Sequence, residues 1–499
     1  MIAASGLGMF LIFLLVRGSL IDDSYITLAY AKNLALHLHW GVVPQEFSNT
    51  ATSPLNVVLL GALTAVTRIG GAVRPVLALG GLSVALAVIM AWGWIRIIRV
   101  WRLPLVVAAL GVALVLVNPF LLSAVGLEVL LAPTLLIVLL VTALEERPGW
   151  FGLVAGLTVL CRLDLIVFVL LIAASTPTVR RCWRRSLGVA ALVGMPWFVF
   201  SWVFFGSAVP DTLLIKTSAH QWIVSFLVGP VLYFTQRTNT TAVAFLPALI
   251  GFLGLVVWLV ARTSVRWEPA HRLPAIGPAV ALGAGGVAYY SVFAVLHVPP
   301  YHWYYVPPMT SLSMFLVIAV GVWLQRARER PRLRPAIPAL ILGVVGVLVL
   351  ATLARDLMHG TPWRTPVISS NFASASDYAR IGVALRKRVG NSTVQNDGEI
   401  GTVAYFCDCD LVEQFSDRGQ VIPLINDRIS KGGPLAGLVY KLNYLWLDRD
   451  PKPRHPAYLL RYRAGPGPSP GPNVWRVSSP SSLLPLGFSG HVTLSALPR

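Results

Sequence analysis

Long apolar stretches separated by short polar breaks run through the first 354 residues. The chain opens with Met1–Leu20. Further apolar runs follow near 54–69, 75–95, 103–118, 127–144, 151–175, 187–205, 241–261, 274–297, 307–324 and 336–354. A bilayer-crossing helix needs ~20 such residues to span ~30 Å of hydrocarbon. Most of these runs therefore predict crossing helices. Met1–Leu20 has no basic first region and no small-residue cleavage site, so it is expected to be a retained transmembrane helix, not a signal peptide.

Two runs need a second signal, and charge supplies it. If Leu55–Ile69 lies at the outer surface, and if 151–175 is two short arms meeting at Cys161–Asp164, the arginine-rich loops all fall on one side. Loops 96–102, 145–149, 180–185, 262–272 and 325–335 then hold sixteen arginines. The opposing loops hold six basic residues: Lys32, Arg68, Arg74, Arg162, Lys216 and Arg237. The positive-inside rule places the N-terminus and the arginine loops in the cytoplasm and predicts about eleven crossings. The arms of 151–175 are short enough to form a re-entrant hairpin, which leaves the parity unchanged.

Between the first two runs lies Ile21–Leu55, which carries adjacent acids, Asp22 and Asp23, directly after an apolar segment. Ile26, Tyr30, Leu34 and Leu38 recur every four residues and predict an amphipathic helix lying in the membrane interface. Asp22 and Asp23 then read either as that helix's acidic cap or as functional carboxylates beside the membrane.

After Leu353 the hydrophobicity falls. Residues 355–499 read as a small α/β domain, extracytoplasmic by parity. DYARIGVALRKRV predicts a helix, while STVQNDGEIGTVAYF and the apolar stretch Val421–Ile425 suggest strands and turns. GPGPSPGP at 465–472 reads as an exposed loop or linker. The fold class is thus an all-α polytopic membrane domain over 1–354 with an accessory domain over 355–499, expected to bind acceptor or shield the site.

Composition agrees. The 499 residues are 56% hydrophobic and 12% charged, with a mean hydropathy of +0.71, a balance that excludes a soluble globular protein. The net charge of +19 fits cytoplasmic arginine and affinity for anionic lipid or phosphate; no nucleic-acid partner is expected. Cys161 and Cys182 fall in or beside membrane segments. Cys407 and Cys409 form a lone C-x-C, a spacing that does not suit zinc.

The topology gathers Asp22, Asp23, Glu46, Glu128, Arg162, Asp164, Asp211, Lys216, His297 and His302 near the outer side, and charged groups beside a membrane mark functional sites. Each also has a structural reading. Glu128 and Asp211 can cap helices, Arg162 and Asp164 can pair with each other, and Trp303, Tyr304 and Tyr305 can form an interfacial belt.

The blocks DDSYITLAYAKNLA and TSPL, then NPFLLSAVGLEV, CRLD, FFGSAVPDTLLIK and HWYYVPP, resemble the GT-C superfamily of membrane glycosyltransferases. They are most similar to the branch that holds the bacterial terminal (B-type) arabinofuranosyltransferases. The resemblance covers roughly 1–330, with a weaker match at Val394–Phe415. It implies transfer of a sugar, arabinofuranose first in line, from a polyprenyl-phosphate donor to a cell-envelope glycan or glycolipid at the outer face of a bacterial plasma membrane. It assigns an acidic general base to Asp22 or Asp23, with the first acid favoured, and a second acid to Glu128.

The reaction gives the other residues roles. Arg162, Lys216 and His302, in that order, are expected to meet the leaving phosphate. Asp164 and Asp211 complete the binding set, and Tyr304 and Tyr305 with Trp303 are expected to stack on sugar or line the lipid path. One base with direct attack implies inversion. No cofactor is firmly implied, although a divalent cation fits the acids. The competing reading is a polytopic lipid or solute transporter, which would show broken helices at mid-membrane and related halves.

Overall fold

A computed structural model describes the chain apart from residues 69–70, 219–224, 264–275, 330–334, 370, 466, 479–488 and 499. Most of the basic loop 262–272 and part of 325–335 therefore lie outside the described residues, as does Ile69.

The chain begins with α1 (Ile2–Val16), α2 (Asp22–His37) and α3 (Pro54–Val66), continuing with α4 (Pro75–Trp101), α5 (Leu105–Leu116), α6 (Pro119–Leu122) and α7 (Leu131–Leu144). The next helices are α8 (Pro148–Cys161), α9 (Ile166–Ser175), α10 (Pro177–Arg181), α11 (Trp183–Phe204) and α12 (Thr212–Ser218). The membrane part ends with α13 (Gly229–Gln236), α14 (Thr238–Thr263), α15 (Gly277–Val295), α16 (Val306–Glu329) and α17 (Ala336–Met358). Several start on proline, as at Pro54, Pro75, Pro119 and Pro148. The missing N–H costs nothing there, because the first turn has no intrahelical acceptor for it.

Among the described residues, six helices are long and apolar enough to cross a membrane alone: α4, α11, α14, α15, α16 with the turn before it, and α17. The other apolar helices are 10–17 residues long, so a count of eleven crossings rests on these shorter elements. The break in 151–175 falls where the sequence puts it. Helix α8 stops at Cys161, Arg162 is extended, and a single 3₁₀ turn over Leu163–Leu165 leads into α9.

The C-terminal part, expected from the sequence to be external, holds α18 (Ala375–Val389), β1 (Val394–Asp397), α19 (Gly401–Cys407), β2 (Leu411–Val412), α20 (Arg418–Lys431), α21 (Pro434–Asn443), β3 (Tyr458–Ala464), β4 (Val474–Ser478) and β5 (Ser489–Ala496). Its sheet order is β2-β1-β3-β5-β4. The first two pairings are parallel and the last two antiparallel, with Tyr458 opposite Ala496 in the longest pair. Ser374 caps α18, whose buried Tyr378, Ile381, Leu385 and Val389 recur at helical spacing. Val421–Ile425 is helical instead of a strand: Asp417 accepts from the Gly419 N–H and starts α20, and Val421, Ile422 and Ile425 form its buried stripe.

Helix α2 departs most from expectation. It presents no open polar face, the feature an isolated amphipathic helix would show. Most of its residues are buried, including Ser24, Thr27 and Asn33, and it packs against α3 on one side and α19 on the other. Leu38, the last member of the expected stripe, is 86% exposed at a left-handed helix end. One apolar cluster joins Ile26, Ala29 and Tyr30 of α2 to Ile381, Val403 and Leu411 of the C-terminal part. The two parts of the chain thus share a core through α2.

Candidate active site

The adjacent acids on the first turn of α2 face different neighbours. Successive helical residues are rotated by about 100°. Asp22 is 5% exposed and meets the start of α19: Oδ2 accepts from the Gly401 N–H at 2.8 Å and Oδ1 from the Thr402 N–H at 2.7 Å. It caps a helix, but not its own; Ile21 is the N-cap of α2 and makes no side-chain bond. Burial pushes the Asp22 carboxyl up to about 6 against the opposing effect of these two N–H donors, and Asp23 raises it further. Gly401 makes this contact possible, since a Cβ there would sit 2.1 Å from the Asp22 carbonyl oxygen.

Asp23 lines a narrow cleft of about 30 Å³, together with Thr27, Thr50, Glu128, Lys216, Trp303, Tyr304 and Phe415. Its Oδ1 accepts from Lys216 Nζ at 2.8 Å. The ammonium also lies over two stacked rings, 4.6 Å from the centre of Tyr301 and 5.0 Å from that of Trp303. Although burial lowers the Lys216 pKa, the Asp23 carboxylate and the nearby tyrosines push it above the ordinary range, so the group stays a cation.

Beneath the cleft lies a second charged group. Arg162 donates to Glu128 at 2.5 Å and, through two nitrogens, to Asp164 at 3.0 and 2.5 Å. Its guanidinium stands 5.1 Å from the centre of the Tyr304 ring. The fork needs an extended residue between two helices, and the interruption at CRLD provides it.

The remaining expected residues divide. Asp211 pairs with Arg418 of the C-terminal part at 3.2 Å while its own N–H donates to the Asn49 carbonyl at 2.8 Å; it braces the loop before α12 and does not line the cleft. His302 is buried against Phe120 and Trp303. Tyr305 is fully buried, stacks on Phe226 and donates to the Phe226 carbonyl at 2.7 Å, away from the cleft. Trp303 and Tyr304 are buried as well, so the cluster is not an exposed interfacial belt.

Thr27, Thr50, Phe415 and Tyr301 were not predicted from the sequence. Thr50 is held by the Tyr30 hydroxyl at 2.8 Å and donates to the Phe415 carbonyl at 3.0 Å, so the C-terminal part contributes to one wall. Thr50 lies just before TSPL, the local signal for it, and Ser53 of TSPL caps α3. Glu413 lies nearby and burial pushes its carboxyl up to about 8. Among the described residues, no group of three His, Cys, Asp or Glu is arranged to hold a metal ion.

No family model matches the sequence, and no curated protein does. Solved structures do. ArnT from Cupriavidus metallidurans in the apo state matches with a TM-score of 0.54 and 14% identity over 92% of this chain and 91% of that one. The same protein bound to undecaprenyl phosphate matches at 0.52 and 12% identity, over 98% and 97%. The Archaeoglobus fulgidus oligosaccharyltransferase matches at 0.54 and 11% over 92% and 69%, and the mycobacterial arabinofuranosyltransferase AftD at 0.51 and 14% over 92% and 36%. The chain shares the GT-C fold of these membrane glycosyltransferases.

Proposed function

We propose that the protein transfers a sugar from a polyprenyl-phosphate donor to a hydroxyl of a cell-envelope glycan, with the reaction centred on Asp23 in the cleft at the outer membrane face. The observation that carries this reading is the Asp23–Lys216 pair, a carboxylate and a cation 2.8 Å apart in one cleft between the membrane bundle and the C-terminal part. Such a transfer needs both. An acceptor hydroxyl is a weak nucleophile and must lose its proton to a positioned base, and the departing phosphate must be met by positive charge.

The acceptor oxygen bonds to the anomeric carbon as the carbon–phosphate oxygen bond breaks. The proton passes to the Asp23 carboxylate, and the polyprenyl phosphate leaves toward Lys216. A single direct attack inverts the anomeric configuration. Binding of the donor phosphate to Lys216 competes with the pairing to Asp23 and frees the carboxylate oxygen to face the acceptor hydroxyl. This reading moves the base from the first acid to the second, because both oxygens of Asp22 are occupied by the start of α19. It also ranks Lys216 ahead of Arg162 as the phosphate cation, because Arg162 is engaged by two carboxylates.

ArnT bound to undecaprenyl phosphate supports a lipid-phosphate donor, and AftD, an arabinofuranosyltransferase, makes polyprenyl-phosphate arabinofuranose the first donor to test. The Cys407–Cys409 disulfide suits an external, oxidising location for the C-terminal part. The test is transfer by the purified, membrane-inserted protein from lipid-linked pentofuranose and hexose donors to an oligosaccharide. Activity in the native protein that disappears in Asp23→Asn supports the proposal; full activity in Asp23→Asn overturns its centre.

A further inference from the structure

Helix α21 of the C-terminal part carries an apolar stripe that no other part of the described chain covers. Leu435, Leu438, Val439 and Leu442 recur at the i, i+3, i+4, i+7 spacing of one helical face, and each is more than half exposed. Leu445 and Trp446 continue it at 56% and 58% exposure. The opposite side is packed, with Gly437 buried and Tyr444 in a cluster with Val421, Ile422 and Ile425 of α20. No acidic residue lies between Asp427 and Asp448, after which the chain turns at once to Asp448, Arg449 and Asp450.

Its position identifies what covers the stripe. Trp202, in the last turn of α11, donates its indole N–H to the Leu442 carbonyl at 2.8 Å and meets the Trp446 ring edge-on, with centres 6.4 Å apart. The Asn443 side chain accepts from the Val209 N–H just beyond α11 at 2.8 Å. Helix α11 is a candidate membrane span, and Leu192, Met195, Val199 and Val203 project exposed along it toward its outer end. The stripe of α21 is therefore tied to the point where a lipid-facing surface ends. Two tryptophans at that height are the side chains that favour the head-group boundary, and the single Lys441 is long enough to reach the phosphates.

We propose that α21 lies in the head-group region of the leaflet on the cleft's side, with Leu435, Leu438, Val439 and Leu442 sunk among the acyl chains. The partner is the bilayer itself. Tyr444 and Leu447 pack with Leu214 and Ile215 of α12, the helix that carries Lys216. Embedding α21 thus fixes the height of that lysine relative to the plane of lipid phosphates. Only this last consequence rests on the proposed reaction; the embedding does not.

The test uses the full chain in nanodiscs of phosphatidylcholine and phosphatidylglycerol. A Cys182→Ser background removes the one exposed free cysteine. An environment-sensitive fluorophore is attached at Leu438→Cys, with Val199→Cys as the lipid-facing control and Arg463→Cys on β3 as the aqueous one. Bromine-labelled acyl chains are expected to quench the Leu438 probe on the order of twofold or more, as they do the Val199 probe, and to leave the Arg463 probe unchanged. Quenching by aqueous iodide with no response to bromine overturns the proposal. So does a dry probe insensitive to bromine, the outcome expected if a second protein copy covers the stripe. The readout is independent of activity, so loss of the glycosyltransferase reading would leave it standing.

Discussion

Two faces of one helical turn divide the work of the molecule. On one face Asp22 is closed in, with both oxygens on backbone N–H groups of α19 and 5% of its surface exposed. On the other Asp23 opens to a cleft and shares one oxygen with a buried lysine. The chemistry of the side chains is identical; what differs is the supply of donors and water around them. A carboxylate with both oxygens bound to fixed donors holds structure together, whereas one that lines a cleft is placed to meet a bound substrate, as the proposed reaction requires. The pair also explains why α2 sits between the two parts of the chain: the turn that shapes the cleft is the turn the C-terminal part grips.

The comparison breaks most sharply at Asp23. Asp23→Asn keeps the shape and removes the proposed base, so turnover is expected to fall on the order of 10²–10⁴-fold with insertion and folding unchanged. Asp22→Asn is expected to keep turnover within about tenfold, because the amide oxygen still accepts from one of the two N–H groups at the start of α19, the other being left without its acceptor. Assay of both purified variants with lipid-linked donor checks the contrast, and equal losses would dissolve it.

The next effect is on stability. Arg162→Ala leaves Glu128, 3% exposed, as a buried carboxylate without its cation. Removing one partner of such a pair costs about 3–5 kcal/mol. Thermal unfolding in detergent is expected to show a large loss, with Arg162→Lys recovering part of it, since an ammonium pairs but cannot fork to both acids. A loss of activity with unchanged unfolding would instead move Arg162 from scaffold to direct contact with substrate.

Much of the scaffold was legible in the sequence. The apolar runs mark most helices within a few residues, the interruption at CRLD falls where α8 ends, and the polar C-terminal part has its small sheet. These features follow from local periodicity and composition. The unexpected features depend on distant partners. Asp22 meets residues 379 and 380 positions away, and Lys216 meets Asp23 across 193, so neither distance nor periodicity announces the pairing. Helix α2 looked amphipathic at four-residue spacing because its other side buries Ser24, Thr27 and Asn33, and only the distant backbone reached by the Asn33 amide, the Gly41 and Val42 carbonyls, shows why a polar residue is held there. Val421–Ile425 misled for a local reason: a short apolar run fits strand and helix alike, and the deciding cap, Asp417, precedes it.

Acidity sharpens the comparison further. The Asp22 carboxyl is raised to about 6 from its ordinary 3.8, mainly by burial, so the fold holds its proton more tightly than the unfolded chain does. The corresponding stabilisation is complete below about pH 4 and is lost as pH rises through about 6. A shift of this size corresponds to about 3 kcal/mol. The stability of the native protein relative to Asp22→Asn is expected to decline over that window and level off above it. Glu399 and Glu413, raised by burial and further by the Asp22 charge, respond when that charge is removed, so the difference carries their relaxation as well as the titration of Asp22 itself. Denaturant unfolding at several pH values is the measurement, and a flat difference would mean that Asp22 is less enclosed than its contacts indicate.

The smallest effect is expected at the other end of the same interface. Lys32 of α2 donates to Asp408 at 2.5 Å and to the Tyr405 carbonyl at 3.0 Å, and Arg386 reaches the second Asp408 oxygen at 3.1 Å. This cluster joins the same helices as the Asp22 contact, but the Asp408 side chain is 31% exposed. Water and salt screen an exposed pair, which is worth about 0–1 kcal/mol. Asp408 also has a left-handed backbone, at a φ of 51°, a conformation that asparagine tolerates readily. Asp408→Asn therefore removes the charge without adding backbone strain. Its expected cost is below about 1 kcal/mol with turnover unchanged. The residual effect should shrink with added salt, whereas the pH-dependent contribution of buried Asp22 should not. If Asp408→Asn cost as much as the Asp22 difference measured above, the two parts would be held by charge pairing along the whole helix, and the first turn of α2 would lose its special place.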